Sequence, residues 1–147
     1  DVTARVLRPH PFLPPELGGH ERVCYSGDLV TMDEDGFLYF VGRRDTMIKS
    51  SGYRISPTEI EEALFQSGRL KGAAVIGLPD EMLGQIIKAF VVPREGESVS
   101  TDELRDFCAT RLPAYMVPKV MEILPDLPKT TSGKVDYPAL RKREGLT

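Results

Sequence analysis

The sequence predicts an α+β fold in which a small mixed β-sheet is flanked by helices and preceded by a β-hairpin. Residues 29–41 show the hairpin pattern, and short apolar runs at residues 73–78 and 86–92 are typical of buried strands. Helix-start signals occur at Ser56 and Ser100, each with a glutamate three residues later. The resulting order, β-α-β-β-α-β-α over roughly 100 residues, favours helices packed against one sheet.

The predicted hairpin has strong turn chemistry at its centre. Residues 29–32 (LVTM) and 37–41 (FLYFV) favour strands, and residues 33–36 (DEDG) between them end in a glycine that tolerates positive φ. Because a two-stranded hairpin is marginally stable in water, we expect it to belong to a larger sheet. Before it, prolines and glycines concentrated between residues 9 and 19 predict an irregular segment over residues 3–23.

The first predicted helix has a complete start signal. Ser56 is a natural N-cap, and Pro57 suits the first helical position. Glu59 stands three residues after Ser56, which is the spacing of a capping box. Gly68 supplies the residue that most often ends a helix.

The elements after the two central strands follow from similar signals. The second helix begins at Ser100 with Glu103 at capping-box spacing, and Pro113 is expected to stop it. Residues 119–124 predict a third strand, and residues 136–143 predict a last helix.

Composition is that of an ordinary globular protein. The 147 residues are 41% apolar and 28% charged. A net charge of −3 lacks the basic field that dominates nucleic-acid binding, so we expect no nucleic-acid partner. No apolar run is long enough to cross a bilayer and no leader pattern opens the chain, so we expect no membrane span and a cytoplasmic location.

No metal site is expected in this chain. Cys24 and Cys108 are far apart and cannot form a metal site or a disulfide framework by themselves. Cys108 falls on the apolar stripe of the second helix, which favours a core position. Glu59, Glu61 and Glu62 lie in the first turns of a helix, where carboxylates interact favourably with the positive end of the helix dipole.

Three polar segments are not explained by secondary-structure periodicity, and the first is residues 25–29 (YSGDL). A carboxylate directly after a glycine, at the start of a strand, can accept hydrogen bonds from two vicinal hydroxyls such as those of a ribose. Taken alone, Asp28 is better explained as a turn residue that caps backbone amides.

The second polar segment lies around Gly52. Residues 43–54 read as two short strands around a turn, with Arg43 and Arg54 at the two ends. A guanidinium group suits phosphate and ribose oxygens, and a glycine lets backbone approach a ligand closely. Taken alone, the segment is also typical of a charged surface hairpin.

The third polar segment, residues 128–136 (PKTTSGKVD), resembles a phosphate-binding P-loop but does not match one. A P-loop needs glycine where Pro128 stands and serine or threonine where Val135 stands. Lys134 is therefore a long cation on a flexible loop of small residues, able to reach into a site supplied by another domain. Taken alone, it could be a solvated lysine.

Together the three segments resemble those of the adenylate-forming superfamily of acyl-CoA synthetases, adenylation domains and luciferases. Residues 25–29 resemble its glycine-aspartate segment, although shortened and with Ser26 where threonine is usual. Residues 42–55 (GRRDTMIKSSGYRI) with residues 59–61 (EIE) resemble its long hinge motif, and residues 128–136 resemble its C-terminal lysine motif. The order and spacing agree as well, so the resemblance covers about residues 25–142.

The resemblance implies an enzyme with two half-reactions. A carboxylic acid attacks the α-phosphate of ATP with Mg²⁺, which gives an acyl-adenylate and pyrophosphate. A thiol such as that of CoA then takes the acyl group, and AMP leaves. Residues 1–44 would be the tail of a large N-terminal domain, and residues 45–147 a mobile C-terminal domain that rotates between the two steps.

The resemblance also implies a role for individual residues in the first half-reaction. Lys134 would be the catalytic lysine that bridges the carboxylate and the α-phosphate. Asp28 would bind the ribose hydroxyls of ATP and AMP, and Arg43 would reach the ribose or a phosphate. Asp45 would be the hinge that absorbs the rotation.

For the second half-reaction, the implied residues lie in the hinge motif. Ser51 and Gly52 would line the passage for the pantetheine arm of CoA. Arg54 would lie near a phosphate of AMP or CoA, and Lys49 lies in the same motif.

The partners implied are the large domain of the same enzyme, ATP, a carboxylic acid and CoA, with the Mg²⁺ ligands in the large domain. We expect the chain alone to be inactive because the site is split between domains. The short stretch after Lys134 favours a free-standing CoA ligase, as in fatty acid metabolism. Two alternatives are a discrete adenylation enzyme that loads a carrier protein and a non-catalytic interaction domain that kept the fold.

Overall fold

The computed structural model describes residues 6–9, 11–12, 14–17, 22–44 and 46–146. The chain forms two compact units, Asp1–Asp45 and Thr46–Thr147, which we call the hairpin unit and the sheet unit. That these units are the tail of a large domain and a mobile domain stays a prediction.

The hairpin unit contains a pair of strands that the sequence analysis missed. Strands β1 (Leu7–Pro9) and β2 (Arg22–Cys24) pair antiparallel, and a 3-10 turn spans Pro15–Leu17. The prediction of an irregular segment over residues 3–23 is therefore wrong for residues 7–9 and 22–23. The prolines lie mostly between the strands, whereas pairing of Leu7 with Cys24 is a long-range contact that local composition does not encode.

The predicted hairpin is confirmed as strands β3 (Asp28–Met32) and β4 (Leu38–Arg43). The turn is held by Asp33, whose Oδ1 accepts the backbone amides of Asp35 at 3.0 Å and Phe37 at 2.9 Å. The Tyr39 hydroxyl donates to the other oxygen, Oδ2, at 2.7 Å, and this hydrogen bond lowers the pKa of Asp33.

Large apolar side chains are exposed along the hairpin within its own unit. The most exposed are Met32 at 70%, Phe37 at 66% and Leu38 at 65%, and Phe40 follows at 58%. Exposed apolar surface of this extent is typical of a surface that packs against further protein. The observation agrees with the prediction that the hairpin belongs to a larger sheet.

The sheet unit begins with a tight hairpin of two short strands, β5 (Ile48–Ser50) and β6 (Tyr53–Ile55), as predicted. The two turn residues both have positive φ, at 51° for Ser51 and 83° for Gly52. A two-residue turn of this kind matches the twist of the flanking strands, and glycine adopts it without strain.

A three-stranded mixed sheet forms the centre of the sheet unit. Strand β7 (Leu70–Asp80) pairs antiparallel with β8 (Gly84–Pro93), and β9 (Val120–Ile123) pairs parallel with β8. Both long strands extend further than predicted, so that the turn shrinks to residues 81–83. Pro79 is accommodated within β7 because β7 is an edge strand of this sheet.

The predicted packing of helices against the sheet is confirmed, and the helices cover both of its faces. Helices α1 (Pro57–Phe65) and α2 (Thr101–Ala109) contribute to a core on one face, and α3 (Tyr137–Arg143) contributes to a core on the other. Along β7, alternate residues enter different cores: Val75 faces α1 and α2, whereas Ile76 joins Leu140 of α3. Cys108 lies in the first core, as expected, and burial raises the pKa of its thiol.

The helix ends differ in detail from the sequence analysis. Helix α1 ends at Phe65, and Gly68, with φ of 72°, closes the following turn by donating its amide to the Phe65 carbonyl at 3.0 Å. Helix α2 ends at Ala109, before Pro113, which instead precedes a 3-10 turn at Ala114–Met116. Among the described residues, no helix is long and apolar enough to span a bilayer.

The two predicted capping boxes have different outcomes. At α2 the box is complete, since the Ser100 hydroxyl accepts the Glu103 amide at 3.1 Å and the Glu103 carboxylate accepts the Ser100 amide at 3.2 Å. At α1 the predicted box is wrong. The Ser56 side chain is buried at 4% exposure, makes no capping bond, and has no hydrogen-bond partner among the described residues.

This difference predicts unequal effects of the same substitution. We expect Ser100→Ala to lower the free energy of unfolding by about 1 kcal/mol, because it removes a helix cap. We expect Ser56→Ala to change it by less than about 0.5 kcal/mol or to raise it, because no hydrogen bond is lost. Urea unfolding of the two variants checks this, and a larger loss for Ser56→Ala than for Ser100→Ala contradicts it.

Candidate functional site

Lys134 lies on a short, closed loop rather than on the flexible loop that its small neighbours predicted. Lys129 and Val135 form an isolated antiparallel bridge, and the Thr130 amide donates to the Lys134 carbonyl at 2.7 Å. The Thr130 hydroxyl accepts the Lys134 amide at 3.2 Å, and Gly133, with φ of 81°, closes the turn. The side chain of Lys134 is exposed, so the hydrogen-bonded loop presents its ammonium group to solvent.

The loop leads directly into helix α3. The Asp136 amide donates to the Pro128 carbonyl at 2.8 Å, which closes the base of the loop. The Asp136 carboxylate then accepts the Ala139 amide at 2.9 Å and caps the helix. We call residues 128–136 the lysine loop, and its end is thereby fixed to the start of α3.

One neighbour of this region was missed by the sequence analysis. Glu61 of α1 accepts the Tyr137 hydroxyl at 2.7 Å and the Val75 amide at 2.8 Å, both on Oε1. Burial raises the pKa of Glu61, although the two hydrogen bonds oppose the rise. Burial also raises the pKa of Tyr137, and the nearby Glu61 carboxylate adds to this effect. Glu61 stands in the EIE segment of the hinge motif, but no local signal indicates its contacts with Tyr137 and Val75.

Asp28 and Arg43 lie directly opposite each other on β3 and β4. The Asp28 amide donates to the Ser26 hydroxyl at 3.2 Å, and an Arg43 guanidinium nitrogen donates to the Ser26 carbonyl at 3.3 Å. Gly27 adopts φ of 80°, and its carbonyl accepts the Arg44 amide at 2.8 Å. An exposed acceptor and an exposed donor fork thus stand side by side, which suits a ligand carrying hydroxyl groups.

Ser51, Gly52 and Arg54 share the β5–β6 hairpin, where Lys49 and Arg54 are opposite each other. The Ser51 amide donates to the Leu83 carbonyl at 2.9 Å, which fixes the hairpin tip to the β7–β8 turn. A concavity of about 170 Å³ adjoins this tip. It is lined by Ser50, Ser51, Leu83, Ile86, Ile87, Ala114, Tyr115, Val117 and Lys119.

An aromatic pair stands beside this hairpin and was not predicted. The rings of Tyr53 and Tyr115 stack with centroids 4.0 Å apart and an angle of 8° between their planes. The pairing could not be read from sequence, because Tyr115 lies in the 3-10 turn far along the chain.

The predicted site residues therefore fall into two groups, one in each unit. Asp28 and Arg43 pair within the hairpin unit, whereas Arg54 and Lys134 belong to the sheet unit. The predicted hinge, Asp45, lies outside the described residues. Among the residues that the structure describes, no group of three or more histidine, cysteine, aspartate or glutamate side chains is arranged to hold a metal ion.

Comparison with known proteins identifies the family. The family model of the AMP-binding enzyme C-terminal domain matches residues 59–134, about half of the chain. The chain belongs to this family. The resemblance to the adenylate-forming superfamily is thereby confirmed, and the matched range runs from the start of α1 to Lys134.

Two curated relatives illustrate the similarity of this AMP-binding enzyme C-terminal domain. A 4-hydroxybutyrate–CoA ligase of Metallosphaera sedula is 44% identical over 127 residues, which cover 84% of this chain and 22% of that protein. A feruloyl-CoA synthase of an Amycolatopsis species is 42% identical over 145 residues, which cover 99% of this chain and 27% of that protein.

A solved structure agrees with these relatives. The o-succinylbenzoate CoA synthetase of Bacillus subtilis, in complex with its acyl-adenylate intermediate, is 35% identical with a TM-score of 0.75. The match covers 80% of this chain and 24% of that one. The chain thus spans about a fifth to a quarter of the length of the relatives it matches.

Proposed function

We propose that this chain is the C-terminal part of an ATP-dependent acyl-CoA ligase. The whole enzyme would join a carboxylic acid to AMP and then transfer the acyl group to the thiol of CoA. The single observation that supports this most strongly is the exposed Lys134 on an ordered loop, within a chain that belongs to the AMP-binding enzyme C-terminal domain family.

In the first half-reaction, a carboxylate oxygen forms a bond to the α-phosphorus of ATP, and the bond to the departing pyrophosphate breaks. Both reactants are anions, so their approach is opposed by charge. The ammonium group of Lys134 lies between them and stabilises the charge that grows on the phosphoryl oxygens. Mg²⁺ supplies further neutralisation of phosphate charge when bound, with its ligands in the large domain.

The nucleotide is oriented by the opposite pair on the β-hairpin. The Asp28 carboxylate accepts hydrogen bonds from the two ribose hydroxyls, and Arg43 donates to a ribose or phosphate oxygen. The side-by-side position of the two residues on β3 and β4 supports this assignment.

In the second half-reaction, the thiol sulfur of CoA bonds to the acyl carbon, the bond to the adenylate oxygen breaks, and AMP leaves. Rotation at Asp45 withdraws Lys134 and brings Ser51 and Gly52 to the pantetheine arm. Arg54 then lies near a phosphate of AMP or CoA. The concavity beside Ser51 and the positive φ of Gly52, which allows close backbone approach, support this assignment.

The remaining partner is the large N-terminal domain of the same enzyme. The exposed apolar side chains on β3 and β4 support it, because such surface is expected to be covered by further protein. A cytoplasmic location stays a prediction.

Because the site is divided between domains, we expect the 147-residue chain alone to form no acyl-adenylate. The measurement is release of pyrophosphate from ATP in the presence of a mixture of carboxylic acids, with the full-length enzyme as the positive control. Turnover by the isolated chain contradicts the divided site.

The experiment that tests the proposed function uses the full-length enzyme and a panel of fatty, aromatic and small acids. Carboxylate-dependent exchange of pyrophosphate into ATP reports the first half-reaction, and formation of an acyl-CoA reports the second. Pyrophosphate exchange together with acyl-CoA formation supports the ligase. Exchange without acyl-CoA, but with loading of a carrier protein, favours the discrete adenylation enzyme, and no exchange with any acid favours the non-catalytic domain.

A further inference from the structure

Helix α3, which follows the lysine loop, is held at both ends and in the middle. At its start, the Tyr137 hydroxyl donates to Glu61 at 2.7 Å. In the middle, Leu140 is fully buried, and just beyond the end Glu144 accepts a hydrogen bond from Lys88 at 2.7 Å. The start of α3 therefore has little freedom to move against the sheet.

Glu61 is itself fixed from a second direction. The same oxygen that accepts the Tyr137 hydroxyl also accepts the amide of Val75, at 2.8 Å. Val75 is 1% exposed and belongs to β7, an edge strand, so its outward amide has no neighbouring strand to bond. Turning Glu61 away would leave a buried amide unpaired, which is costly. Glu61 is thus a rigid acceptor that joins α1, β7 and α3.

The lysine loop is tightly connected between the Tyr137–Glu61 hydrogen bond and Lys134. Tyr137 is three residues after Lys134, and the intervening Asp136 bonds both to the Pro128 carbonyl and to the start of α3. A shift of Tyr137 is therefore passed to the loop rather than absorbed by it.

We propose that Tyr137 and Glu61 are positioning residues that hold the lysine loop where Lys134 can reach the reacting anions. This inference rests on the proposed function, since it concerns the lysine of the first half-reaction. Misplacement of a catalytic group by 1 Å can cost about 10²-fold in rate, so loss of one anchoring hydrogen bond is expected to cost about tenfold.

The test is a pair of substitutions in the full-length enzyme. Tyr137→Phe removes only the hydroxyl, and it is made in the wild-type protein and in the Lys134→Ala variant. We expect pyrophosphate exchange to fall about tenfold in the wild-type background and by less than about twofold without the lysine, because residues that act as a unit are not additive. Transfer of a preformed acyl-adenylate to CoA should change by less than about twofold.

Tyr39→Phe is the matched control. It removes a tyrosine–carboxylate hydrogen bond of the same length, 2.7 Å to Asp33, in the hairpin unit. We expect exchange to remain within about twofold of wild type. A second pair of variants guards against loss of folding. Glu61→Gln keeps an acceptor oxygen and should retain more than about a third of the exchange. Glu61→Ala should lose at least as much exchange as Tyr137→Phe, because it also leaves the Val75 amide unpaired.

Two results overturn the inference alone. One is an equal fall for Tyr137→Phe in both backgrounds, which indicates a role unrelated to Lys134. The other is no fall in either background while Lys134→Ala still loses exchange. If Lys134→Ala retains full exchange, the proposed function itself fails, and the inference fails with it.

Discussion

Replacing Lys134 with alanine in the full-length enzyme will lower acyl-adenylate formation by about 10²–10³-fold. The magnitude is that of losing one preorganised donor to a charge that develops in the transition state. The loop is closed by backbone bonds and by the Thr130 hydroxyl, none of which involves the lysine side chain, so the substitution should leave the loop intact. Pyrophosphate exchange measures the loss.

The second half-reaction distinguishes a catalytic lysine from a structural one. A preformed acyl-adenylate should pass to CoA at nearly the wild-type rate, because the proposed rotation would withdraw the lysine before this step. Lys129→Ala is the matched control on the same loop, since its ammonium group lies 3.9 Å from Asp126 and both side chains are more than half exposed. Equal loss of both half-reactions in Lys134→Ala, or equal loss in Lys129→Ala, contradicts the assigned role.

The largest expected effect on stability comes from Lys88→Ala. Lys88 is 7% exposed, and its ammonium group lies 2.8 Å from Glu122 and 2.7 Å from Glu144. Removing it leaves Glu144 without this cation, whereas Glu122 keeps its ion pair with Arg143. Loss of one partner of a buried ion pair costs about 3–5 kcal/mol, and we expect about 3 kcal/mol because Glu122 is 31% exposed.

The pH dependence of this loss has a definite sign. The hydrogen bond from Lys88 lowers the pKa of Glu122 below 4.5, so the wild-type pair contributes stability above that pH, which is lost on acidification. Burial alone would lower the pKa of Lys88, but its bonds to Glu122 and Glu144 outweigh burial and raise it above 10.5. The contribution of Lys88 is therefore present below pH 10.5 and is lost as pH rises through its raised pKa.

Urea unfolding of wild type and Lys88→Ala between pH 7 and pH 3 measures both the loss and its sign. The difference between the two proteins should shrink as pH falls, because protonation of Glu122 and Glu144 removes the charges that Lys88 pairs with in the wild type. Lys142→Ala, an exposed lysine on α3, should stay within about 0.5 kcal/mol of wild type. A difference that is constant across this range contradicts the ion-pair account.

Elements set by local signals could be predicted from the sequence. The α2 cap and the β5–β6 turn depend on residues within four positions of each other, and both formed as expected. The β1–β2 pair depends on contacts between distant segments, and it was missed. At α1 the local signal was present, but the Ser56 side chain is buried and makes no cap, so the local preference did not decide the contact.

The candidate site also contains both residues in local motifs and residues that act through long-range contacts. Asp28, Arg43 and Lys134 stand in short motifs and could be proposed from sequence. The Glu61–Tyr137 contact joins residues far apart in the chain. The sequence does not indicate that Glu61 also accepts the amide of Val75 on the edge strand β7, because this contact forms only in the folded protein. Residues that present a functional group are therefore readable locally, whereas residues that hold it in place are not.

The most direct test is a crystal structure of the full-length enzyme with ATP and an acid whose reaction is blocked. The account predicts that the Lys134 ammonium nitrogen lies about 2.7–3.2 Å from an oxygen of the α-phosphate or of the acid. A nucleotide that is bound and ordered while this nitrogen stays out of reach, with the acid also in place, would contradict the account.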